Sequence, residues 1–296
     1  MLIDHLSIIG VGLIGGSLAR ALRKAKLVKR VTGCNRNEDT LIKAVESGVI
    51  DDYSLNINEA VAGADVVVIG TPLATTEKLL PQIAESLGPD AVLTDVGSSK
   101  GSVVNAARQA MGEKFPRFVP GHPIAGTEKS GVEASFADLF IDHRVILTPV
   151  EETCDKAHKL ITEMWQAVGA DVIDLDVQHH DEVLAATSHL PHMLAYALVD
   201  CLAGMQEHDE IFKYAAGGFA DFTRIASSSP DMWHDICFSN RDALLKTLEH
   251  FSEHINQIKG AIEKSDSEQL LEIFKRAKQA RDKFTRTRSQ LNNATE

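Results

Sequence analysis

A glycine-rich turn near the start of the chain constrains the fold more than any other feature. The apolar run Leu6–Ile9 leads directly into Gly10-Val11-Gly12-Leu13-Ile14-Gly15, and a helical pattern follows at once. In such a turn the first glycine permits a tight bend, the second lets the backbone approach a pyrophosphate, and the third lets the helix pack against the strand. The helix N-terminus adds free N–H groups and a partial positive charge. The predicted dinucleotide contacts are Gly10, Gly12, Leu13, Ile14 and Gly15.

The rest of the first half alternates short apolar runs with amphipathic stretches, which is the pattern of a parallel sheet wrapped by helices. The stretch Ser17–Ala25, for example, carries its leucines on one face at helical spacing. We therefore predict the α/β fold class, with a Rossmann-like dinucleotide-binding domain over residues 1–176. The predicted strands are Leu6–Ile9, Val31–Cys34, Val66–Gly70, Ala91–Asp95, Arg117–Val119, Arg144–Thr148 and Asp171–Leu175.

The second half shows no strand-like runs. Apolar residues recur every three or four positions over 244–262, which indicates a long helix with an apolar stripe. Ser229-Pro230 is a typical helix start, and Ser265 with Glu268 has the spacing of a capping box. We predict an all-helical C-terminal domain over residues 177–296. Its apolar stripes exceed the needs of one small domain, so we expect a homodimer through these helices; a self-contained helical core is the alternative.

The net charge excludes several classes of partner. Lys and Arg number 30 against 42 Asp and Glu, giving a charge of −12. An acidic chain attracts neither phosphate backbones nor anionic membranes, so we expect no nucleic-acid or membrane partner and a small-molecule substrate. The N-terminus lacks the features of a signal peptide, which predicts a cytoplasmic protein. The four cysteines are widely spaced and form no Cys-x-x-Cys pair, which favours reduced thiols.

The end of the second predicted strand bears on the choice of dinucleotide. A site specific for NAD usually places an acid there to bind the ribose 2′-OH, whereas this chain has Asn35 and Arg36. Arg36 can pair with a 2′-phosphate, which favours NADP, or use of both dinucleotides. A solvated arginine beside an asparagine that still accepts NAD is the alternative. Thr71 follows another strand and could wall the same site, although a plain turn explains it equally well.

Two segments of the first half carry residues suited to proton transfer. His122 lies in residues 121–131, whose glycines and proline indicate a shaped loop. A neutral imidazole is the natural acceptor for a hydroxyl proton near neutral pH, although a loop histidine without a catalytic role is equally compatible. Ser98, in residues 95–100, would point into the crevice at the same edge of the sheet.

The helical half supplies two further polar motifs. His189 and His192 flank Pro191, which should kink its helix. The proline disrupts the regular helical spacing that metal ligands on one helix would need, so we expect no metal ion. Arg224 stands among apolar neighbours, which favours burial, and a buried arginine needs an anionic partner. That partner is either a substrate carboxylate or a structural salt bridge to a carboxylate such as Asp221.

Five of these segments together resemble one family over nearly the whole chain. They are Gly-Val-Gly-Leu-Ile-Gly-Gly-Ser at 10–17, Asp-Val-Gly-Ser-Ser-Lys at 95–100, Gly-His-Pro-Ile-Ala-Gly at 121–126, Ser-His-Leu-Pro-His at 188–192 and Gly-Gly-Phe-Ala-Asp-Phe-Thr-Arg-Ile-Ala at 217–226. The residues of these segments, and the order of the segments along the chain, resemble those of the prephenate/arogenate (cyclohexadienyl) dehydrogenases. This resemblance implies oxidative decarboxylation of prephenate to 4-hydroxyphenylpyruvate, or of arogenate to tyrosine, with hydride transfer to NAD(P)+.

The resemblance also implies roles for individual residues. His122 resembles the catalytic histidine that engages the ring 4-hydroxyl, and Ser98 resembles the serine that orients it. Arg224 and His192 resemble the groups that grip the substrate carboxylates. Matches around the pocket or its entrance, of lower specificity, are Thr127, Glu128, Asp221, Ser228 and Trp233.

Two other functions remain open on sequence grounds. A 3-hydroxyacid or 6-phosphogluconate-type dehydrogenase also joins a glycine-turn domain to a helical one, but it relies on a lysine that residues 188–192 and 217–226 lack. A non-catalytic dinucleotide-sensing regulator would not need His122 and Arg224 together. The segments do not separate prephenate from arogenate. They include neither a chorismate mutase segment nor an amino-acid-sensing domain, so feedback by tyrosine would act at the active site or between subunits.

Overall fold

The computed structural model describes residues 1–127, 129–206 and 208–293, with side chains except at 208, 209 and 288–293. The chain divides into two compact units, Met1–Leu244 and Leu245–Glu296. The first unit is built on a parallel sheet. Its strands are β1 (Ile3–Ile9), β2 (Val28–Cys34), β3 (Asp52–Tyr53), β4 (Val66–Ile69), β5 (Val92–Asp95) and β6 (Phe118–Val119). Their order across the sheet is β3-β2-β1-β4-β5-β6.

Helices connect the parallel strands and cover both faces of the sheet. Leu18 and Leu22 pack on one face and Leu80 and Ile83 on the other, because each helix buries its apolar side. The predicted fold class is therefore confirmed. The helices are α1 (Leu13–Lys24), α2 (Glu38–Glu46), α3 (Ile57–Val61), α4 (Leu73–Ser86) and α5 (Gly101–Met111), with a 3-10 helix at Gly112–Arg117.

A second, smaller sheet corrects the interpretation of residues 121–131 as a loop. Its strands are β7 (Gly121–Pro123), β8 (Arg144–Leu147) and β9 (Asp171–Asp174), and helix α6 (Asp155–Gln166) precedes β9. His122 lies on β7, paired with Ile146 of the antiparallel strand β8. The sequence did not predict strand β7, because glycine and proline stand at its two ends and both residues are depleted in strands.

The second half is all-helical as predicted, with one irregular turn. A π-helical turn at Ala185–His189 joins α7 (Val177–Leu184) to α8 (Leu190–Ala203). Pro191 closely follows the π turn, inside a run that is helical from residue 177 to 203, so the π turn is where this helix accommodates the missing N–H of the proline. The helices that follow within the first unit are α9 (His208–Lys213), α10 (Gly217–Thr223) and α11 (Pro230–Ser239), with a 3-10 helix at Arg224–Ser227 between the last two.

Helix α11 joins the helical region to the sheet within the first unit. Ser229 caps it by accepting a hydrogen bond from the Met232 N–H, which confirms the predicted helix start at Ser229-Pro230. Trp233 and Ile236 of α11 are buried in the same apolar cluster as α4. This packing brings a residue from the C-terminal half against the nucleotide-binding part of the chain.

Two long helices, α12 (Arg241–Glu263) and α13 (Ser267–Asn293), account for the second unit, with α12 beginning in the first. The predicted capping box at Ser265 is wrong. Asp266 caps α13 instead, accepting a hydrogen bond from the Gln269 N–H, while Ser265 adopts a left-handed conformation with φ of 56°. Among the described residues, no helix combines the length and apolar character needed to cross a bilayer.

Candidate active site

The glycine turn lies at the carboxyl edge of the parallel sheet. Gly10 has a φ of 96°, and a Cβ there would stand 2.6 Å from the Gly70 carbonyl carbon. A Cβ on Gly15 would meet the Ile8 side chain at 2.7 Å, so glycine allows α1 to pack closely on β1. A Cβ on Gly12 would meet nothing within 4 Å. The backbone at Gly12 is therefore open to a ligand such as a pyrophosphate, directly before the N-terminus of α1.

A cavity of about 310 Å³ extends from this turn along the ends of β2 and β4. Asn35, Arg36 and Thr71 all line it, so the structure brings these predicted cofactor residues together. The Asn35 amide donates to the Val11 carbonyl at 3.4 Å, which ties the end of β2 to the glycine turn. No acidic side chain lines the cavity among the described residues. Its other lining residues are Ile9, Gly10, Val11, Gly12, Cys34, Thr40, Leu55, Ile57, Gly70, Pro72, Thr75, Leu79 and Gly131.

A buried ion pair holds the turn after β5 against the strand that carries His122. The Lys100 ammonium, fully buried, donates to the Asp95 carboxylate and, at 2.8 Å, to the Gly121 carbonyl. Asp95 also accepts from the Gly97 N–H at 2.8 Å and the Gly121 N–H at 3.2 Å. Burial lowers the pKa of Lys100, while the carboxylates of Asp95 and Asp181 oppose that shift. These contacts place His122 beside the carboxyl end of β5.

His122 is the first member of a buried chain of hydrogen bonds. Its Nδ1 lies 2.9 Å from His180 Nε2, and His180 Nδ1 lies 2.8 Å from the Asp181 carboxylate. That carboxylate also accepts the backbone N–H groups of Lys100 and Gly101, each at 2.8 Å, at the start of α5. Helix α7 thus supplies both His180 and Asp181 to the carboxyl edge of the sheet.

The electrostatic surroundings keep His122 neutral. Burial lowers its pKa well below the usual value, and the charges of His180, Lys100 and His189 act in the same direction. An imidazole that is neutral at physiological pH holds a free lone pair and can accept a proton.

His189 occupies the inner side of the π-helical turn, close to the turn after β5. Its Nδ1 accepts from the Asn240 side-chain amide at 3.1 Å, and the same amide nitrogen donates to the Asp181 carbonyl at 2.8 Å. Burial lowers the pKa of His189 to about 4, although the Asp181 carboxylate opposes the shift. Its Nε2 has no hydrogen-bond partner of normal geometry, and the nearby Ser98 carbonyl is close enough to oppose the lowering of the pKa.

His192, Trp233 and Arg224 lie together next to this cluster. The His192 ring stacks on Trp233 with centroids 3.7 Å apart, and Trp233 also contacts His189 edge to face. Burial lowers the pKa of His192, and the positive charge of Arg224 adds to that effect, so the two side chains are close in space. His192 Nδ1 donates to the Ser188 carbonyl at 3.0 Å, so the neutral ring carries its lone pair on Nε2.

Among the remaining predicted substrate-binding residues, the exposure of Arg224 differs from the prediction. Arg224 is exposed in this chain, and its neighbour Phe222 is 46% exposed, so the prediction that Arg224 is buried is wrong; both lie at the end of the short helix α10. Thr127 is exposed and bonds only to the backbone of Lys129 among the described residues. The Ser228 carbonyl accepts from the Tyr196 hydroxyl at 2.7 Å. Glu128, also a predicted pocket residue, lies outside the described residues.

The sequence interpretation missed Lys100, His180, Asp181 and Asn240. Among the described residues no hydrogen bond joins Ser98 to His122, and it is His180 that contacts the His122 ring. A signal existed: His180 and Asp181 stand three and four positions after Val177, on the face of α7 that also buries Leu184. A histidine and an aspartate on the inward face of a helix indicate a buried polar pair. Within the described part of the chain, no group of three or more residues is arranged to hold a metal.

A glycine turn before a helix, a cavity at the carboxyl ends of parallel strands and a neutral buried histidine at the same edge are the features of a dinucleotide-dependent dehydrogenase. The comparisons with known proteins agree. The family described as prephenate dehydrogenase, nucleotide-binding domain, matches residues 18–174, and prephenate dehydrogenase, dimerization domain, matches residues 176–276.

Individual proteins give the same result. The chain is 38% identical to the cyclohexadienyl dehydrogenase of Zymomonas mobilis over 94% of each chain. It is 37% identical to the prephenate dehydrogenase of Bacillus subtilis, over 94% of this chain and 76% of that one. The solved structure of prephenate dehydrogenase from Aquifex aeolicus with hydroxyphenyl propionate and NAD+ matches with a TM-score of 0.89 and 39% identity, over 95% of this chain and 98% of that one. The chain belongs to the prephenate dehydrogenase family, as its motifs predicted.

Proposed function

We propose that this protein oxidises prephenate, or arogenate, with loss of CO2 and transfer of a hydride to a nicotinamide dinucleotide. The observation that carries the proposal is the neutral, buried His122 at the carboxyl edge of the sheet that also holds the open glycine turn. The related enzymes are named for prephenate and cyclohexadienyl substrates.

The cofactor site is proposed to be the glycine turn and the cavity beside it. Gly12 leaves the backbone open to the phosphates, and Asn35, Arg36 and Thr71 line the continuation of the cavity. A nicotinamide dinucleotide held there would accept the hydride from ring C4 of the substrate. Leu13 and Ile14 form the first turn of α1, which presents free N–H groups toward the same place.

His122 is proposed as the base of the reaction. As the substrate C4–H bond breaks with its electron pair, the hydroxyl O–H bond also breaks and His122 takes that proton, so C4–O becomes a carbonyl. The bond from ring C1 to the carboxylate then breaks, its electrons enter the ring, and CO2 departs as the ring becomes aromatic. The phenolate oxygen formed takes a proton, which His122 holds and can return. General base catalysis of this kind contributes about 10²–10⁴-fold to the rate.

Arg224 and His192 are proposed to bind the substrate carboxylates. The guanidinium fork suits a bidentate contact with a carboxylate. His192 Nδ1 already donates to the Ser188 carbonyl, so Nε2 donates to a carboxylate only when the ring is protonated. Burial and Arg224 lower the pKa of His192, and a bound carboxylate would favour the protonated ring. Trp233 stacks on His192 and keeps that ring in place. Thr127, Ser228 and Ser98 are proposed to line the same pocket, with Ser98 orienting the hydroxyl.

The preferred dinucleotide is proposed to be NADP, or both NADP and NAD. The support is Arg36 on the wall of a cavity that has no acidic side chain among its described lining residues. Comparing kcat/KM for NAD+ and NADP+ in the wild type and in Arg36→Ser tests this. We expect a selective loss of NADP+ use, because the 2′-phosphate loses its cation. An equal change for both dinucleotides would contradict the assignment.

We further propose a homodimer formed through the C-terminal helices and a domain boundary near residue 176. The second unit exposes apolar side chains that a partner would bury, among them Leu271, Phe274 and Phe284, at 51%, 54% and 57% exposure. The matched family regions meet between residues 174 and 176. Sedimentation of the wild type and of Phe274→Glu measures the assembly state; a monomeric wild type contradicts the dimer. The cytoplasmic location stays a prediction from the sequence.

The reduction of NAD+ or NADP+ with prephenate, and separately with arogenate, tests the function itself. We expect turnover with prephenate or arogenate and none with 3-hydroxyacids or 6-phosphogluconate; binding of dinucleotide without turnover would favour the non-catalytic regulator. His122→Asn should lower kcat by about 10²-fold or more with little change in KM. Arg224→Ala should mainly raise KM. An unchanged kcat in His122→Asn would remove His122 as the base.

A further inference from the structure

The hydrogen bonds that connect His122 to His180 and Asp181 have a defined order of donors and acceptors. His180 is fully buried, and its two ring nitrogens contact His122 on one side and the Asp181 carboxylate on the other. The Asp181 carboxylate accepts two backbone N–H groups in addition. These three donors keep the pKa of Asp181 below its usual value in spite of its burial, so the carboxylate is charged and accepts only.

A carboxylate that only accepts, together with a neutral His180, determines which nitrogen is protonated in both rings. His180 must carry a proton on Nδ1 to donate to Asp181, so the Nε2 of a neutral His180 is an acceptor. His122 must then carry its proton on Nδ1 to donate to His180 Nε2. The lone pair of His122 is thereby left on Nε2, the ring nitrogen that points away from the chain of hydrogen bonds.

We propose that His180 and Asp181 are positioning residues that hold His122 in the tautomer whose Nε2 accepts the hydroxyl proton. The identity of that hydroxyl rests on the proposed function. When the O–H bond breaks, the proton goes to His122 Nε2 and the ring becomes an imidazolium. Its Nδ1 proton remains shared with His180, and the negative charge of Asp181 balances the new positive charge through that ring. No further reactant is needed.

The other charged and titratable groups around His122 do not stabilise its imidazolium form, so the connection to Asp181 through His180 matters. Lys100 lies nearby with its charge balanced by Asp95, and His189 is neutral near physiological pH because burial lowers its pKa to about 4. Although Asp95 pairs with it, the Lys100 charge still disfavours the imidazolium. Asp181 acts in the opposite direction, because its carboxylate reaches the His122 ring through a hydrogen-bonded partner. This arrangement resembles the general logic in which a buried carboxylate selects the tautomer of a catalytic histidine.

A purely structural role explains Asp181 but not His180. Asp181 satisfies the two backbone N–H groups at the start of α5, which alone would justify a buried carboxylate. His180, by contrast, would be replaceable by another ring of similar size if it served packing only. The test must therefore measure the His122 ring and its chemistry, not stability alone.

The wild-type protein tests the tautomer directly. ¹⁵N NMR of the protein with ¹⁵N-labelled histidine distinguishes a protonated ring nitrogen from an unprotonated one. Comparison with the His122→Asn variant identifies the signals of residue 122. We expect the proton on Nδ1 of both His122 and His180 at neutral pH. A His122 that carries its proton on Nε2 would overturn the proposal.

Variants at His180 supply the kinetic test. His180→Phe keeps a ring but removes both hydrogen bonds, and we expect kcat to fall about a hundredfold with little change in KM. His180→Gln offers an oxygen that can accept from His122 Nδ1, so it should retain more of kcat than the phenylalanine variant. His179→Phe is the matched control, because His179 is exposed beside His180 on the same helix.

The outcomes separate this inference from the proposed function. If His180→Phe keeps the kcat of the control, the inference is wrong. If that variant does not fold, the glutamine variant and the wild-type spectrum decide. If the wild type oxidises neither prephenate nor arogenate, the proposed function fails, and the ring nitrogen that carries the His122 proton still decides whether His180 and Asp181 set its tautomer.

Discussion

Replacing Lys100 with methionine should destabilise the fold strongly, because it leaves the Asp95 carboxylate buried without its cation. Both side chains are shielded from solvent, with exposures of 0% and 1%. Methionine has nearly the length of lysine, so the change removes the charge and the hydrogen bonds while largely preserving volume. Two hydrogen bonds are lost, one to Asp95 and one to the Gly121 carbonyl.

The size of the effect follows from the burial of the pair. Removing one partner of a buried ion pair typically costs about 3–5 kcal/mol, since the remaining charge is uncompensated. The Gly97 and Gly121 N–H groups still donate to Asp95, which places the expected loss near the lower end, about 3 kcal/mol. Lys24→Met is the control: its pair with Asp138 is exposed, so the loss should stay below about 1 kcal/mol.

Urea unfolding of the wild type, the two single variants and Asp95→Asn/Lys100→Met measures these values. The double variant should regain only part of the loss relative to Lys100→Met. The unpaired charge is gone, but the amide has one oxygen for the two backbone N–H groups that the carboxylate oxygens accept separately. A Lys100→Met protein as stable as Lys24→Met would refute the reasoning, and so would a double variant less stable than Lys100→Met.

Two further predictions concern pH and the glycine turn. The pKa of His189 is about 4 in the folded protein and about 6.5 in the unfolded chain, so as the pH falls the unfolded chain binds the proton first. The free energy of unfolding should therefore fall by roughly 3 kcal/mol between pH 6.5 and pH 4. In His189→Asn, whose side-chain oxygen can still accept from Asn240, unfolding measured across this range should show a shallower loss; an equal slope would exclude His189 as the cause. Gly15→Ala should weaken dinucleotide binding by about tenfold, because its Cβ would stand 2.7 Å from Ile8 and push α1 off the sheet. Gly260→Ala, in open space, should leave the binding titration unchanged, and equal affinities for both variants would contradict the steric argument.

Local patterns accounted for most of the architecture. The seven predicted strands all exist, and their ends differ from the observed ones by at most three residues. The pattern is plainest for Val66–Ile69, which is wholly apolar because it is buried on both faces. The two strands that were missed, Asp52–Tyr53 and Gly121–Pro123, are two and three residues long. Both contain residues that are depleted in strands, Asp52 in one and Gly121 with Pro123 in the other, and each forms because a neighbouring strand offers its hydrogen bonds.

The first residues of helices were also predicted only in part from the local sequence. Ser229 caps α11 as predicted, because a serine followed by proline leaves few alternatives. Ser265 and Asp266 were both acceptable caps for α13, and the structure uses Asp266. The choice depends on how the chain turns after α12, which the local sequence does not specify.

The sequence by itself determined the parallel α/β fold, the glycine turn and its place before α1, the helical second half and the family. These features follow from residues that act within a few positions of one another. Only the tertiary structure decided that His122 contacts His180, 58 positions away, that Lys100 is buried on Asp95, and that Arg224 is exposed in this chain. Such contacts depend on how helices pack over the carboxyl edge of the sheet. Many side chains of similar pattern could meet there, and packing and hydrogen bonding select which ones do.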